Sequence, residues 1–183
     1  MAGIYIHIPF CKTRCVYCGF FSTTSLERRD SYVNCVCNEL KMRCGYLGGE
    51  EVDTIYFGGG TPSQLDVAQI RKILDVIFNI YNVRANAEIT LEGNPDDLTP
   101  EFLAAIFSLG VNRLSMGVQS FNDGYLRFIR RRHSSDTAAR AVANAVEAGF
   151  RNISIDLMYG FPGQTIEEWT SDVRRWNPAC CYA

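Results

Sequence analysis

Five short runs with the two-residue period of a β-strand alternate with longer runs of helical period, and no strand run directly follows another. The strand-type runs are Ile4–Ile8, Val52–Phe57, Ala87–Leu91, Asn112–Val118 and Asn152–Leu157. Helix-type segments cover about Ser25–Gly45, Asp66–Asn82, Thr99–Leu109, Asn122–Arg131, Ser135–Ala148 and Ile166–Trp176. A parallel strand pair needs a long crossover, which a helix fills, so this order implies an α/β fold with one parallel sheet and helices packed outside it. Local signals agree. Thr99-Pro100 offers an N-cap followed by proline in the first helical turn. Ser134 or Ser135 can cap the next helix, and Gly149 after Ala148 is a C-terminal stop.

Ligand sites in such sheets lie at the carboxyl ends of the strands. The polar and glycine-rich motifs of this chain fall there. Pro9–Ser22 follows the first strand, Gly58–Ser63 the second, Glu92–Pro95 the third and Gln119 the fourth, with Asp156 and Tyr159–Gln164 at the fifth. A net charge of −2 supplies no field that would draw the chain to nucleic acid. No apolar run reaches the length of a membrane span, and the first residues carry no export-signal pattern, so a cytoplasmic protein is expected.

Eight cysteines in 183 residues need an explanation. Without an export signal they read as reduced thiols or metal ligands rather than a disulfide framework. Three of them form a CxxxCxxC, Cys11-Lys-Thr-Arg-Cys15-Val-Tyr-Cys18, in the loop after the first strand. Spacing leaves three readings open. An iron–sulfur cluster with one iron free of protein needs three thiolates. Structural zinc wants four ligands, and a redox dithiol would use Cys15 and Cys18 alone. Cys37 and Cys44 stand seven residues apart on one helical face and read as core or surface thiols. Cys35, Cys180 and Cys181 have no assigned role. His7 reads as a structural strand residue, and Arg130 and Arg132 as a solvated helix end.

CxxxCxYC after a strand resembles the defining motif of the radical S-adenosylmethionine (SAM) superfamily. Tyr5-Ile-His-Ile-Pro-Phe-Cys11, Phe57-Gly-Gly-Gly-Thr-Pro62 and Glu92-Gly-Asn-Pro95 are similar to the oxygen-independent coproporphyrinogen III oxidases and their heme-chaperone relatives. So are Arg113-Leu-Ser-Met-Gly-Val-Gln-Ser-Phe121 and Ile155-Asp-Leu-Met-Tyr-Gly-Phe-Pro-Gly-Gln-Thr165, so that the likeness runs from Ile4 to about Trp169. The resemblance implies a partial TIM-like barrel of about five β/α units. It implies a [4Fe–4S] cluster on Cys11, Cys15 and Cys18, with the fourth iron open for SAM and reductive SAM cleavage as the chemistry. By matching positions it implies SAM contacts at Tyr5, Tyr17, Gly59, Gly60, Thr61, Glu92, Gln119, Arg131 and Asp156. Taken from the residues alone, a strand-end carboxylate is a helix cap or surface group, and a strand tyrosine is core.

Within that family the dehydrogenase carries a further cysteine two residues beyond the cluster motif, where this chain has Phe20 in Cys18-Gly-Phe-Phe-Ser22. That ending resembles the heme-chaperone branch, which implies heme or porphyrin, an electron donor and a heme-acceptor protein as further partners. The alternative is coproporphyrinogen III oxidation, and a third reading is a metal-stabilised domain without turnover. Residues 1–176 are expected to form one incomplete barrel core and 177–183 an irregular tail. Five units leave an open sheet edge, which reads as part of a longer protein whose sixth strand and C-terminal domain lie elsewhere.

Overall fold

The computed structural model describes residues 2–176. The tail expected at 177–183, with Cys180 and Cys181, lies outside the described residues. Five strands, β1 (Ala2–Ile8), β2 (Val52–Gly59), β3 (Val83–Gly93), β4 (Arg113–Gln119) and β5 (Asn152–Leu157), form one sheet in the order β1-β2-β3-β4-β5, every pair parallel. Helices α1 (Arg29–Met42), α2 (Val67–Ile80) and α3 (Pro100–Ser108) fill the first three crossovers. α4 (Asp123–Phe128) and α5 (Ser135–Glu147) share the fourth, and α6 (Ile166–Arg175) follows β5. Strand order that repeats chain order is the arrangement of a TIM-like barrel left open between its first and last strands.

The two faces of the sheet differ in chemistry. Ile6, Ile8, Ile55, Phe57, Leu91, Leu114, Met116 and Val118 are all buried, and they pack with helix residues such as Ile70, Ile73, Ile77, Leu103 and Ala141 in one core. The alternate positions carry polar groups: Tyr5 and His7 on β1, Tyr56 on β2, Glu88 and Glu92 on β3, Ser115 on β4, Asp156 on β5. A closed parallel barrel fills its interior with branched apolar side chains. Here the interior is polar, so the strands alternate as half-solvated strands do.

Caps fix where the helices begin and end. Asp66 accepts from the Gln69 amide at 2.8 Å while the Gln69 side chain accepts from the Asp66 amide at 3.0 Å, a reciprocal capping box for α2. Thr99 caps α3, and Ser134, the first of the two serine candidates, caps α5. α5 stops in a Schellman turn: the Gly149 amide reaches Val146 O and the Phe150 amide reaches Ala145 O, with Gly149 at φ +108°. α1 ends at Met42, short of the expected Gly45, so Cys44 lies beyond the helix and is exposed while Cys37 is buried. The two cysteines do not share a helical face as the spacing suggested, because a run of turns replaces the last helical turn.

β5 pairs only with β4 among the described residues, and Ile153, Ile155 and Leu157 are half-buried where their β4 counterparts are fully covered. α6, which covers this end, has a single buried residue, and it is a carboxylate. Asp172 accepts from Ser120 Oγ at 2.5 Å and the Phe121 amide at 3.0 Å, so the helix is fastened to the end of β4 by polar contacts. Replacing Asp172 with Ala strands two buried donors, each at a cost of 1–3 kcal/mol, so Asp172→Ala should lower stability by about 3 kcal/mol. A urea midpoint unchanged in Asp172→Ala would show that α6 is held by other contacts.

Candidate cofactor site

The cysteine loop is pinned at its base and side. The Cys11 amide donates to Thr23 O at 2.9 Å and the Thr23 amide to Pro9 O at 2.7 Å, which closes the loop where it leaves β1. His7 is held at Nδ1 by Tyr5 OH (3.2 Å) and at Nε2 by Phe21 O (3.0 Å), so this strand histidine ties the far end of the loop to the sheet. Cys11 is buried, Cys15 and Cys18 are half-buried, and all three are free thiols.

At the end of β2 the chain passes under this loop at distances that exclude side chains. A Cβ on Gly59 would stand 2.6 Å from the His7 ring, and its φ of +114° suits glycine alone. A Cβ on Gly60 would meet the Pro9 carbonyl carbon at 2.9 Å. Glu92, at the end of β3, holds this passage from below: Oε2 accepts from the Gly59 amide at 3.1 Å and Oε1 from Tyr56 OH at 2.7 Å. Burial, followed by the hydrogen bond to Glu92, pushes the Tyr56 phenol well above its ordinary pKa. Thr61 OH donates to Gly60 O at 2.7 Å and accepts from Asn94 Nδ2 at 3.4 Å, joining the β2 and β3 ends.

β4 contributes through irregularity. Its pairing with β5 shifts between Met116 and Gln119, and Gln119 takes φ +69°, a left-handed conformation costly for a residue with a side chain. α4 is shorter than the helix expected to Arg131, because it closes in a second Schellman turn. The Arg130 amide reaches Arg127 O, the Arg131 amide reaches Leu126 O, and Arg130 itself is left-handed at φ +60°. That turn delivers Arg131 to the site. Its guanidinium donates to Asn94 Oδ1 at 2.7 Å, to Gly117 O and to Cys15 Sγ at 3.5 Å. Nε of Arg131 and Oγ of Ser22 are buried without partners. The Tyr17 phenol is pushed up to about 12 by burial, against the opposing pull of Arg131. Asp156 is exposed at the open edge as a residue, yet its carboxyl overlooks the site, and desolvation raises its pKa against Arg131.

These groups enclose one cavity of about 310 Å³. It brings together Cys11, Cys15, Cys18, Tyr17, Gly59, Gly60, Thr61, Glu92, Gln119, Arg131 and Asp156. Tyr5 is not among its walls. Tyr5 stacks on Tyr56 at 6.0 Å and lines a separate cavity between β1 and α1. Sequence reasoning passed over Asn94, Gly117 and Ser22, which also line the site. Two of them had a signal: Gly117 lies between Ser115 and Gln119 on the same strand face, and Asn94 lies inside the quoted Glu92–Pro95 motif. Arg132, read as solvated, is instead held by Asp96 at 2.6 Å and Asp97 at 3.3 Å, because the turn after α4 folds it back over the β3 end.

Among the described residues no three His, Cys, Asp or Glu side chains converge tightly enough for a single metal ion. The donor set suits a cluster instead, since each thiolate of a four-iron cube binds a different iron and none need touch a common point. Three thiols around one cavity, a glycine passage without side chains, a cation beside Cys15 and carboxylates in the same wall fit a cluster with a zwitterionic ligand beside it.

Chain order, sheet and site together define a class, and residues 5–175 match the model of the radical SAM superfamily, to which the chain belongs. It is 40% identical over 169 residues to the heme chaperone HemW of Bacillus subtilis, covering 91% of this chain and 45% of that protein. It is 34% identical over 175 residues to the oxygen-independent coproporphyrinogen III oxidase of Escherichia coli, covering 94% and 38%. The solved structure of coproporphyrinogen III oxidase (HemN) from Escherichia coli superposes with a TM-score of 0.87 at 34% identity, covering 94% of this chain and 40% of that one. The chain thus spans less than half the length of the curated relatives it matches. Among the described residues no helix is long and apolar enough to cross a membrane.

His133 lies behind Arg131, buried, with Nε2 on Val118 O at 3.0 Å and Nδ1 unpartnered. Burial first, and then the Arg131 charge, push its pKa down to about 4. The unfolded chain protonates this imidazole near 6.5 and the folded chain near 4, so between those values the unfolded state binds the extra proton. Stability should therefore fall by about 3 kcal/mol on acidification across that window. Denaturant titrations of wild type and His133→Gln at pH 7 and pH 4.5 check this, the variant showing the smaller acid loss.

Proposed function

We propose that residues 1–176 are the radical SAM core of a heme-chaperone-type protein. It holds a [4Fe–4S] cluster on Cys11, Cys15 and Cys18 and SAM among Tyr17, Gly59, Gly60, Thr61, Glu92, Gln119, Arg131 and Asp156. In the longer protein this core serves the handing of heme to an acceptor protein, with an electron donor to reduce the cluster. A reducing cytoplasmic setting suits the free thiols of the described residues. The observation that carries the choice of branch is Phe20. It lines the cavity two residues from Cys18 and is 65% exposed, so an apolar ring stands where the oxidase branch has a thiol.

When bound, the cluster and SAM supply one-electron reductive cleavage and a carbon radical. The chain's own residues prepare the place for it. Arg131 donates to Cys15 Sγ at 3.5 Å and so orients the side chain at this ligand position. Gly59 and Gly60 leave their backbone open to a ligand, while Glu92 fixes the Gly59 amide and keeps a spare lone pair on each oxygen. Asp156 has no hydrogen bond within the described residues and offers an acceptor to a ligand hydroxyl or ammonium.

The porphyrin-decarboxylating reading rests on the likeness to the Escherichia coli oxidase. Anaerobic reconstitution should load about four irons per chain, and Ala at Cys11, Cys15 or Cys18 should abolish the chromophore while Cys35→Ala spares it. Added SAM should change the EPR spectrum of the reduced cluster, and Asp156→Ala should weaken that change without removing iron. The loaded protein should leave coproporphyrinogen III unconverted under strong reductant. SAM-dependent decarboxylation seen by chromatography of the oxidised porphyrins would move it to the oxidase branch, and bound zinc without iron uptake would refute the cluster.

A further inference from the structure

Asp97 ends the short 3-10 turn Pro95–Asp97 that follows β3, and its side chain is 3% exposed. It lines no wall of the cofactor cavity. Its carboxylate nonetheless accepts from four side chains on three other segments. Lys12 of the cysteine loop donates to Oδ1 at 2.8 Å, and Ser63 and Gln64 of the turn after β2 donate to Oδ2, Ser63 at 3.1 Å. Arg132 of the α4–α5 connection reaches both oxygens at 3.3 Å. A carboxylate has about four acceptor sites, so this one is filled. Two cations offset the loss of hydration that burying such a charge entails.

Each of these contacts lies within three residues of a group of the site. Lys12 follows Cys11, Arg132 follows Arg131, and the Ser63–Gln64 turn continues from Gly60-Thr61. Ser63 Oγ also accepts from the Asn94 amide at 3.3 Å, and Asn94 holds Arg131. The cysteine loop, the glycine passage and the arginine come from three separate strand ends, and Asp97 is the point to which all three are tied.

We propose that Asp97 is a positioning residue for the cluster, and that the Lys12–Asp97 ion pair holds the cysteine loop against the strand ends in the geometry that retains iron and admits SAM. The inference rests on the cluster reading above. It differs from a plain stabilising role because Lys12 is 48% exposed, and losing it leaves Asp97 with Arg132, Ser63 and Gln64.

The test compares wild type, Lys12→Met, Lys12→Arg and Asp97→Asn after anaerobic reconstitution. Iron loss to a ferrous chelator, the EPR spectrum with and without SAM, and thermal melting of the iron-free protein are measured side by side. Lys12→Met should melt as wild type does, yet lose iron about tenfold faster and show an altered SAM-dependent spectrum, the scale on which residues supporting metal ligands act. Lys12→Arg should restore both, and Asp97→Asn should be worse than Lys12→Met, because its amide group would face donors. Wild-type iron retention and spectra in Lys12→Met would overturn the proposal, even if Asp97→Asn proved unstable. A wild-type chain that takes up no iron would instead overturn the cluster reading itself.

Discussion

Sheet sidedness is the constraint from which the rest of this structure follows. Isoleucines and leucines at alternate strand positions bury one face under the helices, and with a period of two the other face must then take every intervening residue. Those residues are mostly polar, among them Tyr5, His7, Tyr56, Glu92, Ser115, Gln119 and Asp156, so the interior face is not a dry core. A one-residue slip in any strand would bury Glu92 or Asp156 under helices and expose the apolar set. The register that keeps Phe57 beside Leu91 and Gly93 beside Met116 is the same one that brings Gly59, Glu92 and Gln119 to a single rim.

Strain at that rim is concentrated where side chains must be aimed. Gln119 and Arg130 are the only non-glycine residues with positive φ among the described residues, and both serve the cavity, one directly and one by turning Arg131 toward it. Each costs on the order of 1–3 kcal/mol, tolerated only because surrounding contacts over-determine the conformation. The turn at Arg130 is held through its neighbour Arg131, which donates to Asn94, Gly117 and Cys15, and a Cβ on Gly117 would lie 2.9 Å from that guanidinium. The cation thus occupies a slot cut for it.

The parallel sheet, the caps at Thr99 and Ser134 and the convergence of strand-end motifs were legible in the sequence because each depends on local chemistry or on period. Three features were not. Tyr5 shares a strand face with His7, and nothing in period two says how far along the barrel axis a side chain reaches; the structure stacks it on Tyr56, outside the residues that line the cavity. The end of α4 was hidden because its left-handed residue is an arginine rather than glycine, so no stop signal was visible at Arg130. Arg132 and Lys12 looked like ordinary surface charges, since their partner Asp97 is 85 residues from Lys12 in sequence. Long-range polar pairing leaves no periodic trace.

Three carboxylates near the strand ends show how such a rim separates structural from ligand-directed charge. Asp97 is filled by four side-chain donors and holds segments together. Glu92 spends one lone pair of each oxygen on Tyr56 and Gly59 and keeps the remainder, so it can anchor and bind at once. Asp156 accepts no hydrogen bond among the described residues, sits at the open edge, and has its pKa raised by desolvation against the pull of Arg131. An unfilled carboxylate held over a cavity at a stability cost is the one that gains most when a cationic or hydroxyl-bearing ligand arrives.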